Sequence, residues 1–183
     1  LIVRLNSLPV GAVPYMASGN YNYTSSNVRN AIELWYDNVN TGTNTGVSTG
    51  TLEGLKSFAV RSDADVAVGQ YGNVTAPISK PNATTGYAYP FALSYQEGAK
   101  YMCVEWHNGT GFSKAGMGQY ANSNWNVFEG SVSSENATWL RSVGMVASDG
   151  AWLHHVKGQL GRSPVTAPNY IHPAMWVKAE IFD

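Results

Sequence analysis

The clearest candidate for binding chemistry in this chain is the polar, aromatic segment from Trp106 to Phe128. Aromatic rings flanked by short amides offer an apolar face with hydrogen-bonding groups beside it, which suits a sugar ring or a protein epitope. We therefore predict a recognition surface here. The residues predicted to contact a ligand are Tyr120, Asn122, Asn124 and Trp125. In the alternative interpretation, the Trp125 ring only fastens the segment to the core.

Reactive or metal-binding centres have weaker support. Cys103 falls on the apolar face of a predicted helix, where a thiol packs as a small hydrophobic group. Successive residues of a strand point to opposite faces, so His154 and His155 need ligands from elsewhere to hold one metal ion. The sequence therefore predicts no catalytic residue, no metal site and no cofactor.

The composition excludes several classes of protein. The 11 basic residues are scattered among 12 acidic ones, so no cluster of positive charge can follow a nucleic-acid backbone. Apolar stretches such as Leu8 to Met16 fall far short of the roughly 20 residues that cross a bilayer. A single cysteine excludes an internal disulfide. We expect one domain over residues 1–183, with residues 1–20 as an extension or edge strand, and we expect the chain to be a processed product or an excised domain.

The residues that could bind need a scaffold, and its first helix is predicted from Ser26 to Asn40. Val28, Ile32 and Trp35 recur at three- and four-residue spacings and form one apolar stripe, while Ser25 or Ser26 can cap the start. A strand over 29–37 leaves Trp35 on the wrong face. That strand belongs to the alternative fold, an all-β sandwich.

The second main helix is predicted from Tyr95 to Trp106. Ser94 and Glu97 have the spacing of a capping box, in which each side chain accepts from the backbone N–H of the other residue. Between the two helices, the pattern predicts a short helix over residues 52–59 and a strand from Ala64 to Val68.

The C-terminal third is predicted to form a small sheet. The runs from Ala151 to Val156 and from Met175 to Ile181 are apolar or aromatic and lie between Gly and Pro residues. Arg141 follows Trp139 closely, and we expect its guanidinium to bind backbone carbonyls of a loop. Trp176 is predicted to lie in the core.

Three stretches of the chain, in this order, resemble segments of one family. The first is Ser26 to Ile32, a Ser-x-x-Arg helix start, and the second is Tyr89 to Tyr101, with its Phe-x-Leu-Ser-x-x-Glu core. The third is Trp139 to Ser142 followed by His172 to Trp176. Together they resemble the C-type-lectin-like domain, a module of exported bacterial and phage proteins that is related to the sulfatase-modifying-factor fold. The chain departs from the family pattern at Gly98, Val143 and His172.

The resemblance implies an α+β, C-type-lectin-like fold with two main helices on a twisted antiparallel sheet and long loops. In C-type lectins, calcium is held by a Glu-Pro-Asn or Gln-Pro-Asp loop. The nearest string here is Lys80-Pro81-Asn82, and its lysine has the wrong charge for a calcium ligand. The resemblance also implies a protein that is secreted or lies on a cell surface or virion.

Three functions follow from the sequence. The preferred one is a recognition module for a carbohydrate or a cell-surface protein, because it accounts for the aromatic segment from Trp106 to Phe128. A structural spacer of a surface protein is the alternative, and it predicts a surface without a concave aromatic patch. An enzyme of the formylglycine-generating type is disfavoured, since it needs an activated thiol or a metal, and the chain is predicted not to be an enzyme.

Overall fold

The computed structural model has a mixed α+β fold, as predicted, and not an all-β sandwich. It describes residues 1–3, 8–38, 56–73, 78–86, 89–101, 126–127, 137–154 and 159–182. The described helices are α1 (Asn27–Asn38), α2 (Tyr95–Tyr101) and a 3-10 helix (Ala179–Phe182), and residues 56–58 are also helical. The described strands are β1 (Ile2–Val3), β2 (Val13–Pro14), β3 (Ala59–Val60), β4 (Pro90–Ala92), β5 (Asn126–Val127), β6 (Ala137–Val143), β7 (Asp149–His154), β8 (Gln159–Pro164), β9 (Pro168–Asn169) and β10 (Pro173–Val177).

These strands form three sheets. In the largest, the order is β3-β10-β1-β5, and β4 also pairs with β10. A second sheet joins β2 to β9, and the third is the antiparallel meander β6-β7-β8. All strand pairs are antiparallel except β1 with β5. The C-terminal third therefore contributes to three sheets, where the sequence predicted one.

Helix α1 forms where the apolar stripe predicted it. Val28, Ile32 and Trp35 are buried, and Leu34 on the other side is 63% exposed. Ser26 is the N-cap, because its Oγ accepts the Arg29 N–H at 3.0 Å. The predicted last residues, 39 and 40, lie outside the described part of the chain.

Helix α2 starts at the predicted capping box. The Glu97 N–H donates to Ser94 Oγ at 3.1 Å, and the Ser94 N–H donates to the Glu97 carboxylate at 2.8 Å. Residues 102–106 of the predicted helix, including Cys103, lie outside the described residues.

Three local predictions were wrong. The strand from Met175 ends at Val177 and a 3-10 helix follows, which turns the half-buried Ile181 back onto the core. Residues 64–66 form a turn, because the Asp63 carbonyl accepts the N–H groups of both Val66 and Ala67. Strand β1 is not an edge strand, because β10 and β5 pair with its two sides. Of the short helix predicted over 52–59, residues 56–58 are helical and 59 belongs to β3, while residues 52–55 lie outside the described part of the chain.

Strand β6 separates two buried clusters of apolar side chains. Trp139 belongs to the cluster with α1, and the next residue, Leu140, belongs to the cluster with α2. Because both faces of β6 are covered, its central residues are all buried, and the strand lacks the polar alternation of a half-exposed sheet. None of the described helices has the length and apolar content needed to cross a membrane.

Candidate ligand-binding surface

The residues predicted to contact a ligand, Tyr120, Asn122, Asn124 and Trp125, lie outside the described residues, so their role remains a prediction. His155 lies outside them too, and His154 ends β7. Two other groups of residues have geometry that bears on function. One is a buried ion pair, and the other is a partly exposed group of tyrosines and cations.

The buried ion pair joins Arg141 of β6 to Glu97 of α2. Both side chains are 0% exposed, and the two terminal nitrogens of the guanidinium lie 2.6 and 2.9 Å from the two carboxylate oxygens. Arg141 also donates to the Ala67 carbonyl at 2.9 Å and the Ala92 carbonyl at 2.7 Å. The predicted bonds to backbone carbonyls are therefore present, but the carboxylate partner was not predicted.

The carboxylate of Glu97 is charged in this setting. Burial by itself raises the pKa of a carboxyl group, but the adjacent Arg141 guanidinium and the hydrogen bonds from Ser79 and Ser94 hold the pKa of Glu97 below its usual value. A buried carboxylate with this many donors needs no further ligand. We interpret the pair as a structural centre.

The buried ion pair holds two segments that lead to the surface. Glu97 accepts hydrogen bonds from the backbone N–H and the hydroxyl of Ser79, which begins the loop 79–86. Arg141 binds the carbonyl of Ala92, the last residue of β4. Tyr89 lies just before β4, and Thr84, Thr85 and Gly86, which line the pocket described below, lie at the far end of that loop.

The second group is a continuous row of four side chains, which we call the tyrosine–cation surface: Lys56, Tyr36, Tyr89 and Arg61. Arg61 is exposed, and the other three residues are half-buried. The Tyr36 and Tyr89 rings stack with centroids 5.7 Å apart at 19°. The Lys56 ammonium lies 4.4 Å from the centroid of the Tyr36 ring, and the Arg61 guanidinium carbon lies 5.4 Å from that of Tyr89. The Arg61 Nε–H also donates to the Tyr89 hydroxyl at 3.2 Å.

Strand β10 brings Arg61 and Tyr89 together. Strands β3 and β4 both pair with it antiparallel, along the edge opposite β1. Val60 at the end of β3 faces Trp176, while Pro90 at the start of β4 faces Met175. Consecutive residues of β10 thus pair with the end of β3 and the start of β4. Arg61 follows the last residue of β3 and Tyr89 precedes the first residue of β4, so the two lie side by side.

Helix α1 contributes Tyr36 to the tyrosine–cation surface. Tyr36 lies in the last turn of this helix, next to the buried Trp35, and α1 packs against β4. Burial, then the nearby Tyr89 and Asp37, raise the pKa of Tyr36 to about 12. Its hydroxyl therefore keeps its proton at neutral pH and can donate a hydrogen bond.

An open pocket of about 480 Å³ adjoins Arg61 and is also lined by Thr84, Thr85 and Gly86. The string Lys80-Pro81-Asn82, the nearest one to a calcium-binding loop, lies beside this pocket. The Asn82 N–H donates to the Arg61 carbonyl at 2.7 Å. Asn82 Oδ1 accepts from the N–H groups of Thr84 and Thr85, which line the pocket. Gly86 is required by close packing, since a Cβ there would lie 2.4 Å from the Asn82 carbonyl oxygen.

Comparisons of the chain with family models, with curated proteins and with solved structures found no match. The resemblance to the C-type-lectin-like domain therefore rests on the sequence motifs. Function has to be argued from the geometry above.

Sequence reasoning did not single out the tyrosine–cation surface. Tyr36 carried a signal, because a helix that buries Trp35 places the next residue at the rim of its apolar face. No spacing rule links Arg61 to Tyr89, which lie 28 positions apart. Their proximity depends on the register of β10.

A metal-free fold is a testable prediction. Among the described residues, no group of three His, Cys, Asp or Glu side chains is placed to hold a metal ion. Thermal melting of the chain with and without a chelator is expected to give the same midpoint, because no bound metal then contributes to stability. A fall of several degrees on chelation, reversed by added metal, would contradict the prediction.

Proposed function

We propose that this chain is a recognition module, secreted or displayed on a cell surface or virion, that binds a carbohydrate or a cell-surface protein. The observation that carries this proposal is the tyrosine–cation surface beside an open pocket. Tyrosine and arginine are residues that binding sites favour, and here two half-buried tyrosines and an exposed arginine lie at strand ends and on a helix. The buried ion pair holds one of these elements, β4, through the hydrogen bond from Arg141 to the Ala92 carbonyl.

We propose further that the fold is C-type-lectin-like. Residues of all three stretches that carry the resemblance either cap a helix or pair with a helix residue, which supports the proposal. Ser26 caps α1, Ser94 and Glu97 form the capping box of α2, and Arg141 completes that site by pairing with Glu97. Residues that lie far apart along the chain thus meet in one arrangement.

A structural spacer remains the competing function. It predicts a surface without a concave aromatic patch, and the stacked tyrosines beside Arg61, which itself lines an open pocket, count against it. An enzyme of the formylglycine-generating type has no specific support, since Cys103 lies outside the described residues.

The proposal is tested by screening the purified chain against glycans and cell-surface proteins. We expect saturable binding to at least one ligand. A chain that binds none of them in a broad panel is better explained as a spacer.

The same screen tests the predicted role of Trp125. The Trp125→Ala variant is expected to lose ligand binding with little change in melting temperature, because an exposed ring contributes to binding and not to packing. If the substitution instead costs roughly 3 kcal/mol or more, as truncation of a buried tryptophan does, Trp125 belongs to the core. Tyr120→Ala is a useful companion variant, since it removes a second predicted contact.

A further inference from the structure

We propose that the tyrosine–cation surface and its adjoining pocket form a binding site for a carboxylated sugar residue, with Arg61 as the residue that binds the carboxylate. This inference rests on the proposed function and specifies the ligand class of a site distinct from the segment 106–128.

The aromatic rings hold the cations in place. Tyr36 and Tyr89 stack on each other, and each ring also carries a cation at 4.4 or 5.4 Å from its centroid. Rings used in this way have little free face for a neutral sugar. The groups left for a ligand are positive charges and hydroxyls, which favours an anion.

Arg61 is positioned to bind that anion. Its residue is exposed, its Nε–H is donated to the Tyr89 hydroxyl, and none of the described residues engages its two terminal amino groups. A planar guanidinium matches the two oxygens of a carboxylate, and stacking on a ring reduces the entropy lost on binding. The contacts to Tyr89 therefore pre-organise Arg61.

The pocket identifies Arg61, and not Lys56, as the anchor, since each end of the row has a carboxylate nearby. Asp37 follows Tyr36 and raises the pKa of its hydroxyl, so the Lys56 end of the row carries negative charge as well. At the other end, Asp63 Oδ1 accepts the Lys80 N–H at 2.6 Å. Arg61 lines the pocket, and none of the described residues binds its terminal amino groups.

The pocket suits a sugar better than a bare anion. Thr84 and Thr85 are exposed beside Arg61, and Thr85 Oγ1 accepts from Asn82 Nδ2 at 2.7 Å, which leaves its own proton for a ligand oxygen. A volume of about 480 Å³ lies within the range of small-ligand pockets and can hold a sugar ring beyond the carboxylate. Scattered charges disfavour a nucleic acid as the source of the anion.

The test measures binding of uronic-acid oligosaccharides and of the same oligosaccharides with each carboxylate reduced to a hydroxymethyl group. The wild-type chain is expected to prefer the carboxylated form by about tenfold or more, as the loss of a charged hydrogen-bonded partner implies. Arg61→Gln should remove that preference. Arg61→Lys should keep only part of it, because lysine retains the positive charge but lacks the planar fork of donors. The matched control is Lys100→Gln, which removes an exposed positive charge from α2 and should retain the preference.

The outcomes separate this inference from the proposed function. Equal binding of the carboxylated and reduced forms by the wild type would overturn the inference and leave a recognition module. A preference that survives in Arg61→Gln, with an unchanged melting temperature, would also overturn it. A wild type that binds no glycan or protein in the broader screen would overturn both. Tyr89→Phe adds a readout of positioning: it keeps the ring but removes the acceptor for Arg61 Nε, so binding should weaken by less than in Arg61→Gln.

Discussion

Replacing Arg141 with methionine is expected to lower the free energy of unfolding by about 3–5 kcal/mol. The substitution leaves the Glu97 carboxylate fully buried with no opposite charge, and it also removes the donors for the carbonyls of Ala67 and Ala92. Urea unfolding followed by circular dichroism measures the change. Glu97→Gln should be destabilising for the same reason, because it leaves the guanidinium buried and unpaired.

The matched control is the pair of Arg162 with Asp149. Arg162 is 43% exposed while the Asp149 side chain is 9% exposed, so this pair is only half in solvent, and Arg162→Met is expected to cost clearly less than Arg141→Met. If Arg141→Met costs no more than this control, the interpretation of the buried ion pair as a structural centre is wrong. Replacing both Arg141 and Glu97 with apolar residues should recover part of the loss, since neither charge is then left buried alone.

Acid should reveal the same interaction. Because the pKa of Glu97 is lower in the folded chain than in the unfolded one, the unfolded chain takes up the proton first as the pH falls. The stabilisation is complete above the ordinary pKa of a carboxyl group and is lost as the pH falls towards the lower, folded value. The variant without both charges should lose less stability than the wild type over this pH range. An equal loss of stability in both proteins would mean that the acid sensitivity comes from groups other than Glu97.

Trp139→Ala is expected to cost a similar amount, about 3–5 kcal/mol. The side chain is 1% exposed, its Nε1–H donates to the Val13 carbonyl at 2.8 Å, and its ring meets the Tyr15 ring edge-on at 5.3 Å. It also covers Gly150, where a Cβ would lie 2.9 Å from the ring. Truncation therefore opens a cavity between β6, β7 and the loop around β2, and chemical unfolding measures its cost.

A graded variant separates packing from the hydrogen bond. Trp139→Phe keeps most of the apolar contact but leaves the Val13 carbonyl without its donor, so it should cost clearly less than Trp139→Ala. If the two variants are equally destabilised, the hydrogen bond and not the packing dominates. If neither is destabilised by more than about 1 kcal/mol, Trp139 is not a core residue.

The sequence by itself determined the local elements. The apolar stripe of Val28, Ile32 and Trp35 specifies α1, because a period of 3.6 puts these residues on one face whatever packs against them. Ser94 and Glu97 specify the start of α2 through hydrogen bonds that span only three residues. Features that depend on neighbours along the chain could be predicted, and the mixed α+β class followed from them.

Only the tertiary structure decided which distant residues meet. Glu97 was assigned to a capping box, yet its second and stronger partner, Arg141, lies 44 positions away and reaches it through the packing of β6 on α2. Arg61 and Tyr89 become neighbours because β3 and β4 pair with successive residues of β10. Strand register is set by long-range pairing and by burial on both faces, and neither leaves a periodic signal in a strand of two or three residues.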